Sequence, residues 1–169
     1  MEEIAVLYEA LWKAGQAFGM VNFGTYAVNS MRMEKAYKGW GSELTNEINM
    51  IEADLQRFIG KNKSDYIGKE ATLRALEHAP ENMIVYLEVE ATDSDIAHGE
   101  PVFADGRPVG ITTSGAYGHS TQKSLGFAFV DARYSAPGTR LAVELLGAMR
   151  PAVVLDEPAW DPAAKRSRA

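Results

Sequence analysis

The stretch from Ser30 to Thr45, SMRMEKAYKGWGSELT, sets three basic residues, two acids, a tyrosine and a tryptophan around two glycines. That mixture suits a flat, polar heterocycle, which needs a face to stack on and hydrogen-bonding groups along its edge. Arg32 or Glu34 would supply the edge, and Tyr37 and Trp40 the face. Gly39 and Gly41 let backbone approach closely. Each residue also has a structural alternative. Arg32 and Glu34 would equally serve as an ion pair that fixes the fold, and for Glu34 that role is favoured. For Tyr37 and Trp40 packing in a core or between domains is the favoured alternative, since aromatics mostly serve packing. Thr113-Ser114-Gly115 and Lys123 offer hydroxyls and a cation on what reads as a loop, where turn chemistry beside a solvated lysine is the simpler account. The three histidines, His78, His98 and His119, are scattered without metal-ligand spacing, and His119 is assigned no role.

Two kinds of element must position these residues. Ile4 to Phe18 reads as a helix: Ile4, Leu7, Leu11 and Ala14 recur at three- and four-residue steps, with Gly15 and Gly19 near the end. Asn22 to Ala27 is a short link, and Val28 to Ala36 fits helix or strand. Ile51 to Phe58 reads as a short helical turn, and Lys69 to His78 as a helix that stops before Pro80. Beyond Pro80 the pattern changes. Met83 to Val89 is β-branched and aromatic, a strand. Pro101 to Phe103 and Pro108 to Thr113 flank Asp105-Gly106, the signature of a tight hairpin. Leu125 to Val130, Arg140 to Leu146 and Arg150 to Leu155 complete a set that predicts a small antiparallel barrel or sandwich. The expected class is α+β, divided near Pro80.

Composition narrows the function. The 169 residues carry 46% hydrophobic and 24% charged side chains, as in ordinary globular proteins. A formal net charge of −6 argues against nucleic acid, whose binders need a basic face to displace counterions. The absence of cysteine rules out disulfides and thiolate metal sites within the chain. No apolar run reaches the roughly 20 residues that span a bilayer, and the acidic start lacks the basic flank of a signal peptide. A cytoplasmic protein, not membrane-bound, is expected.

Longer motifs point to a family. Phe23 to Lys35, FGTYAVNSMRMEK, followed by Gly39 to Thr45, GWGSELT, resembles the folate module of dimethylglycine and sarcosine dehydrogenases. That module lies within the wider family of the aminomethyltransferase, the T-protein of the glycine cleavage system. Asp65 to Ala71, DYIGKEA, is similar to the family's F-I-G-K-x-A segment. Gly110 to Gly115, GITTSG, with Ser120 to Leu125, STQKSL, is similar to its G-x-x-T-S-G and S-x-x-K-S-L segments. Ser135 to Thr139 and Glu157-Pro158 fit its closing strands. The matches run in order along nearly the whole chain. One position departs: Val28 stands where T-proteins carry an arginine, so that pterin contact is not carried over, and the apolar residue points toward the dehydrogenase-like members.

The resemblance implies a tetrahydrofolate-dependent one-carbon transfer module. Residues 1–80 would be the end of a mixed folate-binding core, and residues 81–169 the family's C-terminal barrel. It implies folate contacts at Arg32, Tyr37 and Trp40, with Arg166 reaching the site from the tail; a basic end that frays is the alternative for Arg166. A complete module of the family is considerably longer and carries its folate-activating aspartate in its N-terminal half. The expectation is therefore a fragment or split piece without a catalytic residue of its own. FAD would sit in a separate or missing domain, since no Gly-x-Gly-x-x-Gly fingerprint occurs here. The expected partners are folate and the missing half or an FAD-containing chain. The rival expectation is a non-catalytic docking module, which the first helix would reveal by lacking a partner for its apolar side.

Overall fold

Short apolar segments separated by turn residues pair antiparallel where hairpins join them. A computed structural model, describing residues 2–60 and 62–168, bears out the α+β class. The strands are β1 (Asn82–Val89), β2 (Pro101–Ala104), β3 (Arg107–Gly118), β4 (Lys123–Asp131), β5 (Arg140–Leu145) and β6 (Ala148–Leu155). They close into an antiparallel barrel in the order β1-β4-β3-β2-β5-β6, with β6 returning to β1. Closure leaves no strand edge unpaired.

The barrel interior is aliphatic. Val85, Leu87 and Val89 of β1 meet Ala128 and Val130 of β4, Val143 of β5 and Val154 of β6. Strand side chains alternate, so Ile84, Tyr86, Leu125 and Phe127 point outward. They are buried too, around Met33. That second layer explains why the segment around MIVYLEV reads as an almost unbroken apolar run. The Tyr86 hydroxyl donates to the Met33 carbonyl at 2.8 Å, fixing the front of the chain to the barrel wall. Burial raises the Tyr86 pKa, so the hydroxyl remains a donor.

Asp105 and Gly106 both adopt positive φ, 49° and 73°, the conformation that a two-residue primed hairpin turn requires. Leu146 and Gly147 repeat it at 50° and 77°, an unusual place for leucine.

The helices are α1 (Glu2–Gly15), continued by a 3₁₀ turn at Gln16–Phe18, α2 (Thr25–Glu34) and α3 (Lys69–Glu77). The ambiguous segment from Val28 thus falls within a helix and its cap. Helix α2 packs on β3 and turns Ser30, Met33 and Glu34 inward. It ends where Ala36 takes a left-handed φ of 52°; Tyr37 N–H reaches the Arg32 carbonyl and Ala36 N–H the Met33 carbonyl, the paired bonds of a Schellman end. The segment 51–58 forms turns with a 3₁₀ helix at Gln56–Phe58. Two loop expectations are corrected. Thr113-Ser114-Gly115 lies within β3, which runs to Gly118, and Lys123 opens β4, where it pairs with Glu88 at 2.6 Å instead of standing free in solvent.

Candidate functional site

The site grows from a defect in β3. The β3–β4 register slips between Thr112 and Ser114. An extra residue in one strand breaks the alternation of side chains, and here Thr113 and Ser114 both reach the same acceptor, Glu43 Oε1, at 2.7 and 2.5 Å. Glu43 is fully buried. Its other oxygen, Oε2, accepts from Gly39 N–H at 2.6 Å, Ser42 Oγ at 2.9 Å and Arg32 Nη1 at 3.1 Å. Burial alone would raise the carboxyl's pKa. The bonds from Ser114, Thr113, Gly39 and Ser42 outweigh it and hold the pKa below the ordinary glutamate value. Five donors saturate the lone pairs, so Glu43 is a fixed anion and not a proton-transfer group.

The anion orders a cation. Arg32 gives Nε–H to Asn29 Oδ1 at 2.9 Å, Nη1 to Glu43 and to the Tyr37 carbonyl at 3.2 Å, and Nη2 to Ser114 Oγ at 2.9 Å. Ser114 therefore accepts from Arg32 and donates to Glu43. Asn29 is itself tied to the Gly115 carbonyl at 3.1 Å, and Ser30 Oγ donates to the Tyr117 carbonyl at 2.7 Å. Both anchors come from α2 and end on β3. Four of the five guanidinium N–H groups are thus engaged, and one on Nη2 has no acceptor among the described residues.

The loop after α2 hangs on this network. Gly39 N–H and Ser42 Oγ hold it to Glu43, and Glu43 and Leu44 N–H both return to the Gly39 carbonyl, at 3.1 and 3.0 Å. A Cβ at Gly39 would lie 2.8 Å from Ser42 Oγ and 3.2 Å from Glu43 Oε2, so any side chain there would push the serine hydroxyl out of its place on the carboxylate. The loop carries Tyr37 and Trp40 outward, 60% and 80% exposed. Arg32 is tied to this loop through the Tyr37 carbonyl and through Glu43, while the Tyr37 and Trp40 side chains stand exposed on it. Arg166 is not part of this group. It lies in the tail, its guanidinium 5.1 Å from the Trp160 ring, with its N–H on Asp161.

Glu34 does what its structural reading implies. Buried at the end of α2, its Oε1 accepts Ser120 N–H at 2.6 Å and Thr121 N–H at 2.9 Å, clamping the β3–β4 turn. His119, in that turn, stands edge-on to Tyr117. A separate cleft of about 670 Å³ opens between the 35–58 segment, the outside of β1 and β6, and the tail. Tyr37, Lys38, Arg57 and Arg168 line it, whereas Arg32 and Trp40 do not. Lys38 there has a lowered pKa, chiefly through burial, with Asp54 opposing the shift and Arg57 adding to it.

Sequence reasoning missed Glu43 and Asn29, and weighed Thr113 and Ser114 as turn chemistry. A bulge leaves no periodic trace when it falls among threonines and serines, so Thr113-Ser114-Gly115 read as turn chemistry. The available signal was an acid, Glu43, beside glycines and aromatics in a stretch whose three basic residues include Arg32.

Comparison with known proteins gives two successive matches along the chain. Residues 1–63 match the family model described as the GCVT N-terminal domain, and residues 82–161 the glycine cleavage T-protein C-terminal barrel domain. The chain is 43% identical over 158 residues to mitochondrial dimethylglycine dehydrogenase of Mus musculus, covering 93% of this chain and 18% of that protein. It is 31% identical to an aminomethyltransferase of Symbiobacterium thermophilum, covering 93% and 42%. The crystal structure of the glycine cleavage system aminomethyltransferase T from Bartonella henselae superimposes with a TM-score of 0.74 at 27% identity, covering 80% of this chain and 38% of that one. The chain thus spans less than half the length of each.

Proposed function

Because this chain belongs to the glycine cleavage T-protein family, we propose that it is part of a tetrahydrofolate-dependent one-carbon transfer module of the dimethylglycine or sarcosine dehydrogenase kind, or of an aminomethyltransferase. Residues 1–80 are then the end of the folate-binding core, and 81–169 its barrel. The observation that carries the reading is that two exposed rings, Tyr37 and Trp40, sit on a loop tied to the fixed Arg32 guanidinium through the Tyr37 carbonyl and through Glu43. The rings offer faces for stacking, and the free N–H of Arg32 offers a donor to a ring edge. These residues fit one side of a reduced pterin.

When bound, the folate would supply the amine that takes up the one-carbon unit. This chain's part is to bind and orient. Glu43 is committed as an anion and Arg32 as a cation, so neither moves a proton. Turnover needs an activating acid from outside these residues. A flavin, where the complete protein uses one, would also be held elsewhere. Arg166 would join the site only by leaving Trp160.

Titrating the chain with tetrahydrofolate under anaerobic conditions, with tryptophan fluorescence as the readout, tests the reading. Saturable quenching at tens of micromolar, on the order of 6 kcal/mol of binding free energy, is expected, and Trp40→Phe should remove most of the signal. No saturable binding would sink the proposal. Turnover of dimethylglycine or sarcosine by the chain alone would overturn its division of labour.

One observation favours a second reading, a docking module. Ile4, Leu7 and Leu11 of α1 are exposed, and Phe23 and Tyr26 ahead of and within α2 are exposed as well. Exposed apolar residues recurring on one helix face, as Ile4, Leu7 and Leu11 do, fit an interaction site. A clean monomer with low dye binding in sedimentation and fluorescence would count against it.

A further inference from the structure

A buried ion pair is a poor way to gain stability, because well-packed apolar residues often do as well. The Arg32–Glu43 pair takes five donors to satisfy one carboxylate, and recruits a strand bulge, a side-chain-free Gly39 and three hydroxyls to do so. What this arrangement supplies is orientation. With Nε, both Nη1 protons and one Nη2 proton engaged, the guanidinium plane has no freedom to rotate. Every bond that fixes it traces to Glu43 directly, through Ser114, or through the 37–43 loop that Glu43 closes, apart from the Asn29 contact. Sites built this way hold a contacting group with a supporting shell that does not itself touch the ligand.

We infer that Glu43 is the positioning residue of the folate wall: it acts on the ligand only through Arg32, fixing the guanidinium so that its one uncommitted Nη2 proton donates to an acceptor on the pterin edge. This rests on the folate reading above. Glu43 is enclosed, so it has no direct route to a ligand. Ser114 is the bridge, accepting from Nη2 and donating to Oε1.

The test is a double-mutant cycle on the full chain, read by tetrahydrofolate affinity. Glu43→Gln should weaken binding about tenfold or more, the scale of a lost charge-assisted hydrogen bond. Arg32→Lys should weaken it at least as much, and the double variant should bind like Arg32→Lys alone, because a residue acting through another adds nothing once that other is gone. In ¹⁵N-labelled chain, the Arg32 guanidinium resonances should be resolved, shift on adding tetrahydrofolate, and lose both properties in Glu43→Gln. A purely structural Glu43 would lower stability without this pattern. If Glu43→Gln does not fold, Ser114→Ala, which removes only the bridging hydroxyl, must show the same non-additivity with Arg32→Lys. Additive losses, or unchanged affinity in a folded Glu43→Gln chain, overturn the inference and leave the folate reading standing. Absence of saturable binding by the unsubstituted chain overturns both.

Discussion

Leu87 in β1 is fully buried, whereas Leu7 in α1 is 59% exposed, although both lie in segments with the periodicity of a packed face. The barrel closes on itself: each strand finds a neighbour on both sides, and the outer face of β1 and β4 finds α2. Helix α1 meets chiefly its own continuation among the described residues, where Met20 folds back on Gly15, Tyr8 stacks on Trp12, and Asn22 bonds the Tyr8 hydroxyl. Amphipathic periodicity therefore reports that a face is built to pack and says nothing of what covers it. Between the two extremes lies the Glu43 network, where charge and hydrogen bonds join α2, the 37–44 loop and β3 beside the apolar contact at Met33.

That junction should respond most. Glu43→Ala leaves Arg32 partly buried without its anion and strands the Gly39, Thr113 and Ser114 donors. A loss of about 3–5 kcal/mol is expected, as for one partner removed from a buried pair, measured by urea unfolding. The network also sets an acid limit. Glu43 has a folded pKa below its unfolded value, which lies near about 4.3. Its stabilisation is complete above that value and disappears as pH falls through the folded pKa, because the unfolded state then binds more protons. Stability curves of the unsubstituted chain and of Glu43→Gln should converge below pH ~4; a constant gap down to pH ~2 would show that the carboxylate is not the titrating element.

In the barrel, Leu87→Ala should cost about 2–5 kcal/mol, the transfer term plus the cavity left in a closed interior. A loss below about 1 kcal/mol would mean that the interior collapses around the gap.

The same contrast explains what could be read in the sequence. Strands β1 to β6 were legible because β-branched and aromatic runs, turn residues and strand length agree, and the Asp105-Gly106 turn takes the expected conformation. The start of β3 was legible and its end was not, since Thr113 to Gly118 carries hydroxyls and glycines whose strand character depends on pairing with β4. Val28 to Ala36 was ambiguous because its inward residues include Ser30 and Glu34, polar groups buried by partners far along the chain at Tyr117, Ser120 and Thr121. Arg32, Tyr37 and Trp40 stood out by type. Their organiser, Glu43, did not, because its burial is created by a bulge 70 residues away in sequence.

The two tight hairpin turns offer a smaller test. Asp105-Gly106 uses residues suited to positive φ, whereas Leu146 holds φ 50° while 81% exposed. A left-handed conformation costs an ordinary side chain roughly 1–2 kcal/mol, and asparagine tolerates it better. Leu146→Asn should therefore raise stability by about 1 kcal/mol, read as a higher urea midpoint with an unchanged slope. No gain would mean that Leu146 has contacts in solution that its exposure conceals.

The smallest effect is expected on α1. Leu11 is 55% exposed and touches no core cluster. Leu11→Ala removes little buried area and substitutes a residue of at least equal helix propensity, so the change in chain stability should stay within about 0.5 kcal/mol. Amide exchange should likewise be fast along α1 and slow in β1 and β4, since an unpacked helix of this length is marginal by itself. A loss above about 1.5 kcal/mol would require Leu11 to be buried in solution. Concentration dependence then separates the causes: if the loss shrinks on dilution, the apolar side of α1 is covered by a second copy, and if it persists, α1 has folded back onto its own chain.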